Sequence, residues 1–314
     1  MKTLTMAPGA YVYTFSWEPN EEALCAMERR ALFGVDSKSG IIESALEIDP
    51  SRSPFIRERI SVICEGVSLE ELIEEVKNVE SFDGFKIIFM QNPDHEKVGF
   101  KKLRKIEKEV GLHLKGEAEL VNPDILLGII NTGERWIFGG YEKNEAVWLK
   151  HQWKPHSYST ALGTRVARAV VNIAAPDPEG KKLIDPCCGI GTVLVEALSM
   201  GMDIVGSDRN PLILSGVKEN IAHFGLSGEV TLKDIRDVTG NYDAAIIDLP
   251  YNLCSVITEE DQLQMLQSAR AFAAKVVIVT VENVDPVILE AGFDITDRCE
   301  VTKGNFVRQV IVCE

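Results

Sequence analysis

The sequence predicts an α/β fold: a doubly wound, mostly parallel seven-stranded sheet over residues 151–314, ending in an antiparallel hairpin and preceded by an α+β region. Three observations predict it. Short apolar runs alternate with helical segments from Lys181 onward. Gly and Pro mark the junctions between them. The last two alternating runs, 294–302 and 306–313, flank Lys303-Gly304-Asn305, a hairpin turn.

Lys182-Leu-Ile-Asp185 reads as a buried strand, followed by a glycine turn and an apolar helix over 192–200. Residues 203–208 form a second strand. A helix is expected over 211–224, with Pro211 in its first turn and Gly225 at its stop. Strands follow at 229–234 and 242–248, a helix at 259–274, a strand at 275–281 and a short helix at 286–291. The first 150 residues differ: strands are expected at 11–17, 85–91, 124–131 and 135–140, with helices at 21–33, 69–77 and 99–110. Asn20 is a candidate cap for the first helix, and Ser68 with Glu71 for the second. The boundary between the halves is expected near 144–155, and the first half divides into 1–60 (α+β, ferredoxin-like) and 61–145.

The chain has 314 residues, 45% of them hydrophobic, enough for more than one core. No apolar run is long enough for a transmembrane helix and no basic-then-apolar leader pattern opens the chain, so a cytoplasmic location is expected. Seven scattered cysteines without a C-x-x-C pair favour neither a disulfide framework nor a metal site. Net charge is −15, with 19 basic and 26 acidic side chains in residues 1–150 and 14 and 22 in the remainder. Neither half offers a global field for nucleic acid, so any RNA contact must use a focused patch. One exists: Lys97, Lys101, Lys102, Arg104, Lys105 and Lys108 fall within twelve residues, with Glu107 opposing. Lys101, Arg104, Lys105 and Lys108 share a helical face suited to phosphates, or to water alone.

Strand order and terminal hairpin resemble the class I methyltransferase fold, a Rossmann-like sheet. That resemblance implies S-adenosylmethionine at Asp185-Pro186-Cys187-Cys188-Gly189-Ile190-Gly191-Thr192, the turn after the first strand, where open α/β sheets bind ligands. Gly189 and Gly191 allow close backbone approach. Asp185 can accept from the ammonium of a methionine moiety, directly or through water. Asp208 and Arg209 end the second strand, where a carboxylate takes ribose hydroxyls. Asp234 and Ile235 follow the third, where an acid can accept from the adenine amino group; Asp237 is an alternative. A dinucleotide fingerprint would want glycine at 194, which is Leu194.

Asp248-Leu249-Pro250-Tyr251 follows the fourth strand and resembles the [Asn/Asp]-Pro-Pro-[Tyr/Phe] motif of methyltransferases acting on exocyclic amines. A carboxylate and a backbone carbonyl can each accept one N–H of such an amine, aiming its nitrogen. Tyr251 offers a stacking face, and Pro250 stiffens the turn. Leu249 replaces the first proline.

Two further segments narrow the resemblance. The run from Pro155 to Asn172 (with Arg168-Ala-Val-Val-Asn172) is similar to the entry segment of guanine-N2 RNA methyltransferases. Val121-Asn-Pro-Asp-Ile125 with Gly139-Gly140 is similar to the end of a THUMP domain, an RNA-binding module, which assigns 61–145. Together these resemble the THUMP-containing tRNA guanine-N2 methyltransferases. The resemblance implies RNA, above all tRNA, as partner. The amine motif also suits ribosomal RNA, DNA adenine or a glutamine amide, and a non-catalytic binding domain stays open beside these.

Overall fold

The computed structural model describes residues 10–250, 257–303 and 306–314. In chain order the first half forms β1 (Tyr11–Phe15), α1 (Glu22–Phe33), β2 (Ile41–Ser44), β3 (Ile56–Gly66), α2 (Leu69–Val76), β4 (Phe85–Phe89), α3 (Phe100–Gly111), β5 (Ile125–Asn131) and β6 (Trp136–Lys143). The second half forms α4 (Trp148–His151), α5 (Thr164–Ala174), β7 (Lys182–Asp185), α6 (Thr192–Ser199), β8 (Asp203–Asp208), α7 (Leu214–His223), β9 (Glu229–Leu232), β10 (Tyr242–Asp248), α8 (Glu259–Phe272), β11 (Ala273–Thr280), α9 (Asp285–Glu290), β12 (Ile295–Lys303) and β13 (Phe306–Cys313). The chain divides into two compact units: residues 1–16 with 37–145, and residues 17–36 with 146–314.

The first unit holds one six-stranded sheet, ordered β2-β1-β3-β6-β5-β4. Only β4 and β5 pair in parallel. Phe85, Ile87 and Phe89 of β4 alternate inward and meet Leu72, Val76, Ile106 and Val110 of α2 and α3 in one core. Ser68 accepts the Glu71 N–H and caps α2, but the Glu71 carboxylate turns to the Val67 N–H instead of closing the box. Strands β2 and β3 are not among the elements expected from sequence. Arg57, Glu58 and Arg59 interrupt the apolar pattern of β3 and hide it. Arg59 is nevertheless buried, and its guanidinium pairs with Glu142 opposite it on β6 and with Glu47. A domain boundary at 60/61 therefore does not exist: it would cut β3 in its middle, and β1, β2 and β3 share one sheet with β4, β5 and β6.

The second unit is built on a seven-stranded sheet ordered β12-β13-β11-β10-β7-β8-β9. Strands β7 to β11 run parallel, whereas β13 is antiparallel to both β11 and β12. The winding direction reverses between β7 and β10, so their carboxyl ends frame the crevice where such sheets bind ligands. Helix α1 belongs here too, packed on α5 and β12. It starts at Glu22 without a side-chain cap: Asn20 lies in a preceding 3-10 turn, Pro19–Glu21, and its amide donates to the Thr302 carbonyl at 2.6 Å. Helix α7 begins at Leu214, three residues after the expected start at Pro211. Strand β9 stops at Leu232, and Asp234 caps a short 3-10 turn over Ile235–Asp237. The strands expected around 303–306 pair as a hairpin; residues 304 and 305 lie outside the described residues.

Candidate functional site

The carboxyl ends of β7, β8 and β10 open into a cavity of about 620 Å³, within the size range of small-molecule sites. The structure brings Pro186, Cys187, Gly189, Asp208, Arg209, Asp234, Ile235, Asp248 and Pro250 together in its lining. Asp185, Gly191 and Thr192 stand behind its wall. Tyr251 lies outside the described residues.

The turn after β7 is shaped by its glycines. Gly189 and Gly191 adopt φ of +50° and +77°. A side chain at Gly189 would meet the Tyr158 hydroxyl, and one at Gly191 would meet Val217. The turn thus keeps bare backbone at the cavity. Asp185 sits beneath it, buried, with Oδ1 accepting the Cys187 N–H at 3.2 Å. Burial pushes its carboxyl well above the usual range, with Asp248 and Asp208 adding to the rise. It holds the turn from below through the Cys187 N–H and is not among the residues that line the cavity.

Asp208 is placed differently. Its Oδ2 accepts the Gly189 N–H at 3.0 Å and its Oδ1 the Asn210 N–H at 2.9 Å. Each oxygen keeps a lone pair toward the cavity for a pair of hydroxyls. Asp234 is already engaged: Arg236 grips both its oxygens, Nε to Oδ1 and Nη2 to Oδ2, each at 2.9 Å. The Arg236 hydrogen bond holds the Asp234 carboxyl below the usual range. The adenine-accepting role expected of Asp234 therefore competes with an internal ion pair that the sequence pattern does not disclose.

At the end of β10, the Asp248 Oδ1 is buried without a hydrogen-bond partner among the described residues. Burial pushes its carboxyl up to about 7, against the opposing charge of Arg308. An orphaned buried acceptor at a cavity wall is placed to take a ligand N–H. Leu249 explains its own departure from the motif. Its N–H donates to the Val279 carbonyl at 2.9 Å, and its side chain enters the core beside Ile247 and Ile278. Proline there would lose that bond.

Sequence reasoning missed part of the wall: Tyr158 and Thr160, Asn210 and Ile213, Asp261 and Met265. The Pro155–Asn172 run stands out in the sequence, but not which of its residues reach the cavity. Its first part is a strap fixed at two points. The buried Asn220 amide accepts the His156 N–H and donates to the carbonyls of His156 and Ile190. At the other end the Arg308 Nη2 donates to the Thr160 carbonyl at 2.9 Å. The second part, α5, is structural. Arg168 pairs with fully buried Glu196 at 2.8 Å, and the Asn172 amide donates to Glu28.

The basic residues of α3 and its approach, Lys97, Lys101, Lys102, Arg104, Lys105 and Lys108, are all exposed. Arg104 pairs with Glu107 at 2.7 Å and lies over the Phe100 ring. Among the described residues no cluster suits a metal ion, and no helix is long and apolar enough to cross a membrane.

Residues 151–283 match the model of the RMKL-like methyltransferase domain. The chain is similar to two archaeal proteins. A tRNA (guanine(10)-N2)-dimethyltransferase of Methanothermobacter thermautotrophicus is 30% identical over 164 residues, 48% of either chain. One of Pyrococcus abyssi is 27% identical over 222 residues, 63% of either chain. The chain thus spans 48% and 63% of the length of these relatives. In fold the whole chain is similar to TrmN from Thermus thermophilus, with a TM-score of 0.50 at 17% identity, covering 98% of this chain and 99% of that one. The sheet order around the cavity, with β13 antiparallel between β11 and β12, is that of the class I methyltransferase fold.

Proposed function

We propose that the protein methylates the exocyclic N2 amino group of a guanine in RNA, above all tRNA, with S-adenosylmethionine as donor. The observation that carries the reading is the orphaned Asp248 Oδ1 in the same cavity wall as Asp208 and the bare glycine turn. The similarity to tRNA guanine-N2 enzymes supports the substrate class. The residues fit the donor: Asp208 for the ribose hydroxyls, Gly189, Pro186 and Cys187 for the backbone-lined turn, Arg209 and Ile235 for the flanks of the base. When bound, the donor supplies an electrophilic methyl group on a sulfonium.

The chain's own part is positioning. Asp248 and a carbonyl of the Leu249–Pro250 turn accept the two N–H bonds of the amine. That orients the nitrogen and stabilises the positive charge it gains on attack. The Asp248 carboxylate then takes up the released proton. The buried cavity strengthens each of these interactions over its worth in water. The exposed lysines of α3 supply phosphate contacts for the RNA. Mass spectrometry of nucleosides from tRNA of a strain lacking the protein tests the reading. Loss of an N2-methylated guanosine, restored by the wild-type gene and not by Asp248→Ala, is the expected result. An unchanged nucleoside profile sinks it.

A further inference from the structure

We infer that Asp261 of α8 is the acceptor for the 6-amino group of the donor's adenine, a role that Arg236 closes to Asp234 by gripping it. The inference rests on the S-adenosylmethionine reading given above and names the residue that selects its base.

Four carboxylates line the cavity: Asp208, Asp234, Asp248 and Asp261. Asp208 ties the glycine turn to the end of β8. Asp248 ends β10 with its orphaned Oδ1. Asp234 is occupied on both oxygens: Oδ1 takes the backbone N–H and Nε of Arg236, and Oδ2 takes its Nη2. Asp261 differs, because its bonds fall on one oxygen. Oδ2 accepts the Thr258 hydroxyl at 2.8 Å and the Thr258 N–H at 3.3 Å. Oδ1 accepts no hydrogen bond among the described residues; Arg236 Nη1 stands 3.9 Å away, too far for one. The bonds from Thr258 hold the Asp261 carboxyl below the usual range, so it offers acceptors only at neutral pH.

The sheet order tells the two open acceptors apart. It runs β10-β7-β8-β9. With the ribose at Asp208 on β8, the base lies toward β9 and the 235–237 turn that follows it, while Asp248 stands two strands to the other side. Helix α8 packs on that turn. Ile235 from the turn and Met265 from the helix line the cavity in one apolar core with Leu249 and Ile257, a surface suited to a flat ring. Asp261 and Met265 are four residues apart and share one face of α8. An amino group on such a ring needs an acceptor at the rim, and Asp261 Oδ1 is the carboxylate oxygen left there. Arg236 spans the same rim, with Nη1 at 3.4 Å from Gln264 Oε1.

Calorimetry on the full-length protein compares S-adenosylhomocysteine with its analogue in which hydrogen replaces the 6-amino group. Wild type is expected to bind the analogue about ten-fold more weakly, the lower end for a hydrogen bond to a charged acceptor. In Asp261→Ala the two ligands should bind within about two-fold of each other, that bond being gone. Adding Arg236→Ala should bring the preference back toward about ten-fold, because Asp234 is then released to accept. A merely structural part for Asp261 predicts no such return. Each comparison sets two ligands against one protein, so any fraction lost to fraying of α8 cancels. If Asp261→Ala does not fold, Asp261→Ser replaces it with the same expectations. A preference that persists in the Asp261 variant overturns the inference, as does a wild type that binds both ligands equally. A preference lost in the single variant and absent from the double one overturns the part assigned to Arg236. A wild type that shows the preference yet transfers no methyl to tRNA counts against the proposed function and leaves Asp261 in place, whereas one that binds neither ligand removes both.

Discussion

The Asp208 carboxylate accepts the Gly189 N–H at 3.0 Å, which ties the end of β8 to the glycine turn after β7. One side chain therefore shapes the turn and presents its remaining lone pairs to the cavity. Replacing Asp208 by alanine removes both functions, while asparagine keeps one acceptor oxygen of the two. Loss of a hydrogen bond to a charged group costs about 1.5–3 kcal/mol, or roughly 10- to 100-fold in affinity. Asp208→Ala should weaken S-adenosylmethionine binding by that amount in calorimetry, and Asp208→Asn by less. Affinity equal to wild type in both would remove Asp208 from the cofactor site.

Asp248 should behave oppositely. It carries no hydrogen bond from the glycine turn, so Asp248→Asn and Asp248→Ala should leave cofactor affinity within about three-fold of wild type. Methyl transfer should fall by at least ~10²-fold, the scale of removing a group that orients and accepts a proton. Loss of cofactor binding parallel to that in Asp208→Ala would show the two roles to be misassigned.

The raised carboxyl of Asp248 also sets a pH window. Its midpoint is about 7 in the fold, against an ordinary value near 3.8. The folded form binds this proton more tightly than the unfolded chain, so the resulting stabilisation is complete below about 4 and lost as pH rises through about 7. Asp248→Asn should thus match wild type in thermal stability near pH 4. Near pH 8 it should be more stable by about 1–3 kcal/mol, the scale on which burial disfavours a charged carboxylate. Transfer by the wild type should rise with pH through the same midpoint, because the acceptor form is the ionised one. Melting curves and a pH–rate profile check the two halves; a variant no more stable than wild type at pH 8 contradicts the assignment.

What the sequence revealed here followed from periodicity and spacing. The β7 turn, Asp208 and Asp248 sit at strand ends, and strand ends are legible because apolar runs stop there. Arg236 and Arg308 were not legible. Their partners are a turn neighbour that only geometry engages, and a residue 148 positions away in sequence. Strand β3 was hidden for a related reason. Arg59 looks like a solvent residue until Glu142 comes to face it across the β3–β6 pairing. Leu249 shows the converse: a motif position that looks like a defect is a core residue, whose N–H extends the contact with β11 past the end of β10.

The run ending in Arg168-Ala-Val-Val-Asn172 makes a prediction about stability and not chemistry. Glu196 is fully buried between Arg168 Nη1 and His151 Nδ1, each 2.8 Å away, and Arg168 lies over the Trp148 ring. Removing one partner of such a group leaves charge uncompensated in the core, at a cost of about 3–5 kcal/mol. Glu196→Ala should lower the denaturant midpoint accordingly and leave the cofactor affinity of the remaining folded fraction unchanged. A loss below about 1 kcal/mol would mean that Arg168 finds other partners.

The basic face of α3 gives the sharpest test of the RNA reading. Lys101, Lys102 and Lys105 are exposed, and the helix packs through Ile106 and Val110, so reversing the three charges should not disturb the fold. Arg104 is a poorer probe, since Glu107 already holds it and Glu107 in turn accepts the Phe89 N–H. With an overall charge of −15, the protein has no general field to replace a lost patch. If each lysine neutralises one phosphate, the triple glutamate variant should bind tRNA more weakly, and the slope of log affinity against log salt should shrink by up to about 2–3. S-adenosylmethionine affinity should stay at the wild-type value, because these side chains lie in a different unit from the cavity. Unchanged tRNA affinity and salt slope would falsify the docking role of this face, whatever the fate of the methyl-transfer site.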